Sequence, residues 1–86
     1  MAETEAAVVF QYFQRPSVAG VKVTKDALKV GDRIHILGNT TDLVQTVESM
    51  ESEHTLVNKA KVGDQVGIKV AGRVRRNDVV YRVTDD

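Results

Sequence analysis

An 86-residue chain without cysteine builds one modest core and offers neither a disulfide framework nor a thiolate. Twelve basic and twelve acidic side chains cancel, which argues against a strong non-specific nucleic-acid binder, whose net field is positive. No apolar run approaches the roughly 20 residues of a membrane-spanning helix, and the acidic start Met1-Ala2-Glu3-Thr4-Glu5 lacks the basic-then-apolar order of a secretory signal.

These features point to a soluble cytoplasmic protein with no membrane partner: a single domain over residues 7–84, a flexible N-terminus over 1–6 and a loose tail at Asp85 and Asp86. Ala6 to Gln14 is the first predicted strand, rich in β-favouring residues, with Val8, Phe10 and Tyr12 on one face. Arg15-Pro16-Ser17 ends it, because proline donates no ladder hydrogen bond. The second strand runs from Val18 to Thr24, with Ala19, Val21 and Val23 together on one face. The short link between the two predicts an antiparallel hairpin.

Leu28 anchors the polar link from Lys25 to Val30. Next comes a pattern that occurs twice. Lys29-Val30-Gly31-Asp32-Arg33-Ile34-His35-Ile36 returns 32 positions later as Lys61-Val62-Gly63-Asp64-Gln65-Val66-Gly67-Ile68. Glycine takes φ > 0 without steric cost and aspartate bonds its own backbone nearby, so each copy reads as a tight turn feeding a half-buried strand. Between the copies, Gly38 to Asp42 is a loop. Leu43, Gln45 and Val47 share a phase that Met50 breaks, which predicts a bulge or sharp bend near Glu48-Ser49. His54 to Ala60 reads as a helical turn or an irregular segment. After the second copy, Arg73 to Asp78 forms a basic loop and Val79, Tyr81 and Val83 form the last strand. Six or so short strands at these spacings predict an all-β fold, a small closed or nearly closed Greek-key barrel.

Little catalytic chemistry is visible. No phosphate-cradling glycine loop is present, and His35 and His54 lie 19 residues apart with no cysteine to complete a metal site. His35 reads as a surface residue on an outward strand position. Glu53 beside His54 is suggestive of a tuned imidazole, but a structural corner is the simpler reading. The expectation is no enzyme, no metal, no nucleotide and no other cofactor. The charges are nonetheless segregated. Asp42 to Glu53 holds four acids and no base, whereas Lys69 to Arg82 holds five bases and one acid.

The order of features carries a resemblance. Leu28-Lys29-Val30-Gly31-Asp32, Ile34-His35-Ile36, Val47-Glu48-Ser49-Met50, His54, Val57, Ala60, Gly63-Asp64, Val66-Gly67-Ile68 and Val74-Arg75 stand in this sequence. Together they resemble the second-domain β-barrel of translational GTPases of the elongation factor Tu type. Similar barrels end the chains of collagenase-like peptidases. Neither the GTP-binding domain nor a peptidase domain is recognisable in these residues.

The resemblance implies a translation-factor-like module contacting tRNA or ribosomal RNA. Arg73, Arg75 and Arg76 are then the leading contacts, supported by Lys69 and Arg82. Guanidinium groups bind phosphate bidentately and stack on bases, as RNA recognition needs. The alternative is a docking or assembly module for a separately encoded enzyme, using exposed apolar residues such as Val80 or Phe13 and the acidic Asp42–Glu53 face.

Overall fold

The computed structural model describes residues 2–84. Its strands are β1 (Ala2–Phe13), β2 (Val18–Val23), β3 (Leu28–Lys29), β4 (Arg33–Leu37), β5 (Asp42–Thr46), β6 (Met50–Ser52), β7 (Thr55–Val57), β8 (Lys59–Ala60), β9 (Gln65–Lys69) and β10 (Val79–Thr84). Eight of them form one antiparallel sheet in the order β5-β4-β10-β1-β2-β9-β6-β7, and β3 pairs with β8 in a separate ribbon. The all-β expectation holds. His54 to Ala60 is extended, not helical, because its residues pair with β6 and β3.

The core follows the alternation in most strands. Ile34 and Ile36 of β4, Ala19, Val21 and Val23 of β2, and Val66 and Ile68 of β9 are all buried. Two strands depart from the expected phase. In β1 the register slips between Glu5 and Ala7 and again between Val9 and Gln11. Ala7 and Val9 therefore point into the core, Phe10 is the extra residue of a bulge, and Tyr12 returns to pack against the core from beyond it. In β10 it is Val80 that is fully buried. Its proposed role as an exposed contact is thereby excluded, whereas Phe13 is 45% exposed as expected.

The N-terminal segment is also more ordered than expected. Ala2, Glu3 and Thr4 pair with Thr84, Val83 and Arg82, so β1 already runs through residues 2–6. The tail at Asp85 and Asp86 lies outside the described residues. The expected bend after Val47 is present: β5 stops at Thr46, β6 starts at Met50, and both Val47 and Met50 are buried across the gap.

The repeated turn occurs three times, not twice. The Lys29 and Lys61 amides donate to the Oδ2 atoms of Asp32 and Asp64 at 3.0 and 2.9 Å. The Arg75 amide donates to Asp78 Oδ2 at 2.7 Å in the same way. Gly31 (φ 98°), Gly63 (φ 99°) and Asn77 (φ 75°) hold equivalent positive-φ positions. Each turn also docks on a buried valine by two backbone bonds. Gly31 and Asp32 hold Val47, Gly63 and Asp64 hold Val23, and Asn77 and Asp78 hold Val9. The first two turns open β4 and β9, which run parallel to each other, and the third opens the oppositely directed β10 at the other end.

The sheet curls into a barrel-like shape, but no backbone ladder closes it among the described residues: β5 and β7 remain its edges. This corrects the expected closed or nearly closed six-stranded ring. The edge strands are short, and β5 leaves the sheet where Val47 docks on the Gly31-Asp32 turn. A side chain bridges the seam instead. Gln45 Nε2 donates to the Lys69 carbonyl at 2.9 Å, and its Oε1 accepts from the Ala71 amide at 2.7 Å. One amide group thus imitates a β-bridge between β5 and the end of β9.

Candidate docking groove

A row of residues crosses the outer face of the sheet. Register places Gln11, Gly20, Gly67, Glu51 and Leu56 side by side on β1, β2, β9, β6 and β7. The two glycines leave room for neighbouring side chains to pack on the sheet, and Gly20 is buried. Phe10, released by its bulge, lies over Gly20, where a Cβ would meet the ring at 3.0 Å. A Cβ on Gly67 would meet Val18 Cγ1 at the same distance. Here lies an open groove of about 490 Å³, with Phe10 and Val18 seated over the two glycines. One wall is Phe10, Phe13 and Pro16, and the opposite wall is the β6–β7 hairpin with Glu51, Glu53 and His54.

β1 and β6 are separated by three strand intervals, about 14 Å, wide enough for an extended chain between the walls. Phe13, on the β1 wall, is 45% exposed, and Leu56, beside Glu51 on β7 and outside the groove lining, is 72% exposed. The hairpin turn consists of Glu53 (φ 51°) and His54 (φ 65°), the two-residue loop whose positive φ values match the twist of the flanking strands. This assigns Glu53-His54 to a corner, as the simpler reading had it. Among the described residues, Glu51 and Glu53 are in no ion pair.

The proposed RNA-contact residues are only partly gathered. Arg73, Arg75 and Arg76 are exposed on the β9–β10 connection, and Arg76 lines a hollow of about 350 Å³ with Phe10, Gln11 and Tyr12. Lys69, at the end of β9, borders the continuation of the groove past Pro16 and Ser49. Arg82 does not join them. It is half-buried, salt-bridged to Asp26 at 2.5 Å, and faces a separate hollow with Lys29 and Lys59.

His35 has a defined setting of its own. Its Nδ1 lies 2.8 Å from Glu3 Oε2 and its Nε2 lies 2.6 Å from Asp42 Oδ1, with 15% of the side chain exposed. The Asp42 bond, then the Glu3 bond, raise its pKa above 6.5, and desolvation opposes them weakly. This imidazole pins β1 and β5 to β4. Among the described residues no group of three or more His, Cys, Asp or Glu side chains is placed to hold a metal.

The groove was not foreseen from sequence. The available signal was Gly20 and Gly67, each isolated inside a strand pattern, which marks a bulge or a close backbone approach.

Comparison with known proteins places the whole architecture. The model of elongation factor Tu domain 4 matches residues 5–81. The chain belongs to this family. Within it, an uncharacterised protease of Methanocaldococcus jannaschii is 42% identical over 74 residues, 85% of this chain and 18% of the protease. A collagenase of Porphyromonas gingivalis is 38% identical over 73 residues, 84% of this chain and 20% of the collagenase. The chain therefore spans about a fifth of these curated relatives. Among solved structures, the C-terminal domain of a Geobacillus thermoleovorans U32 peptidase superposes with a TM-score of 0.86 at 18% identity, covering 94% of this chain and 93% of that one. That likeness shows a shared fold, and it supports the elongation factor and peptidase-barrel resemblance read from the motifs.

Proposed function

We propose that this chain is a non-catalytic docking module that seats another polypeptide on the outer face of β1, β2, β9 and β6. The observation that carries the reading is the groove itself, with Phe10, Phe13, Pro16 and Val18 as an apolar side open to solvent, where Phe13 is 45% exposed. The relatives support it too, since in them this unit accounts for about a fifth of a longer chain. A domain of that kind has a neighbouring polypeptide to engage.

A second reading has one observation in its favour. Arg76 beside Phe10 and Tyr12 combines a guanidinium with aromatic rings, as single-stranded RNA recognition does. Against it, Arg82 is already paired with Asp26 and lies apart from the arginine loop.

One experiment separates the two. The tagged chain is isolated from its own cells with and without RNase, at low salt and at about 0.3 M salt, where phosphate contacts are screened. The docking reading expects a defined protein partner that survives both treatments, is lost from a Phe13→Ser/Leu56→Ser variant and is kept by Arg75→Glu/Arg76→Glu. Co-purifying RNA that disappears with salt and with the arginine variant would overturn it in favour of RNA contact.

A further inference from the structure

The groove also carries information about its occupant. Its two walls differ in chemistry. The β1–β2 wall is Phe10, Phe13 and Pro16, with no acidic residue. The opposite wall carries Glu51 and Glu53, which have no cationic partner among the described residues. Elsewhere on the barrel most carboxylates are used internally: Asp26 with Arg82, Glu3 and Asp42 with His35, and Asp32, Asp64 and Asp78 on turn amides, while exposed Glu5 and Glu48 lie outside the groove. The carboxylates of the groove wall are left available.

Building on the docking role proposed above, we infer that the occupant is an extended peptide segment of mixed apolar and basic composition. Its backbone runs between the two walls, crossing the Gly20–Gly67 row, its apolar side chains face Phe10 and Phe13, and its Lys or Arg side chains face Glu51 and Glu53. The width of about 14 Å between β1 and β6 suits one extended strand with side chains to either side. Of the nearby cations, Arg15 sits beside Pro16 on the apolar wall and Lys69 borders the continuation of the groove past Ser49. An acidic segment would face Glu51 and Glu53 with like charge, a costly arrangement that discriminates between partners.

The test uses the full chain, labelled with nitrogen-15, and two synthetic peptides of about nine residues, long enough to span roughly 30 Å. One repeats Leu-Lys-Pro and the other Leu-Glu-Pro, so that they differ in charge alone. The basic peptide is expected to shift the Gly20 and Gly67 amide signals at about 0.1 M salt, and the acidic peptide is expected to leave them in place. Glu51→Lys/Glu53→Lys should weaken the basic peptide about fivefold or more. Glu51→Gln/Glu53→Gln, which keeps the side-chain shape, should weaken it in the same direction with the amide spectrum otherwise preserved. Equal binding of both peptides, or unchanged affinity in both variants, would overturn the charge assignment and leave the docking role standing. Failure of both peptides to perturb Gly20 and Gly67 would overturn the peptide assignment, while the fate of the docking role is read from the Phe13→Ser/Leu56→Ser complex described above.

Discussion

His35 shows how one side chain ties together strands that are far apart in sequence. It stands on β4, yet it holds Glu3 at the start of β1 and Asp42 at the start of β5. Both bonds favour the imidazolium, so the folded state holds the proton more tightly than the unfolded chain does. The stabilisation is therefore complete below the unfolded pKa near 6.5 and is lost as pH rises through the raised folded value. A His35→Gln variant should be less stable than the parent on the acidic side of neutrality, by up to about 1 kcal/mol since the carboxylates are partly solvated. The two proteins should converge as the pH becomes alkaline. Urea midpoints measured across that range decide it, and a difference that grew with pH would contradict the pin.

At the scale of elements, the three equivalent turns explain both what the residues disclosed and what they hid. Lys29-Val30-Gly31-Asp32 and Lys61-Val62-Gly63-Asp64 share a visible Gly-Asp pair, so two turns and the strands they open were legible. Arg75-Arg76-Asn77-Asp78 builds the same turn with asparagine at the positive-φ site, a substitution that local bonding tolerates and pattern reading passes over. The bulge at Phe10 was hidden for a similar reason. Val8, Phe10 and Tyr12 alternate cleanly in sequence, and only pairing with β2 shows the slip that puts Val9 in the core and Phe10 outside. The groove depends on that slip, so it could not be read from periodicity.

The turns also differ in cost. Asp78 is 4% exposed and its Oδ1 crowds Gly38, where a Cβ would lie 1.8 Å away, whereas the bonds of Asp32 and Asp64 face solvent. Asp78→Ala leaves a shielded amide without its charged acceptor and should cost about 1.5–3 kcal/mol. Asp32→Ala and Asp64→Ala should each cost less, about 0.5–1.5 kcal/mol, because water replaces the carboxylate. Chemical denaturation of the three variants tests the ranking, and equal losses would show that burial does not set it.

For the whole molecule, the open seam predicts uneven stability around the barrel. β1, β2, β9, β10 and β4 are joined by consecutive ladders, bulged only along β1, and carry most of the buried side chains, among them Val9, Val21, Ile34, Ile36, Ile68 and Val80. β5 is held on its outer side by Gln45, and the β6–β7 hairpin ends in an unpaired edge. Strand edges with little cover open at lower free energy than the core. Native-state hydrogen exchange should therefore show the amides of β1 and β2 exchanging only through global unfolding, with β5 and β7 exchanging through local opening. Gln45→Ala should lower the protection of Ala71 and of β5 by about tenfold, the equivalent of one hydrogen bond, and leave β1 and β2 nearly as before. If β1 loses protection in step with β5, the molecule opens as one unit. The Gln45 bridge would then be part of the global fold, and the face bearing the groove would be no more rigid than the seam.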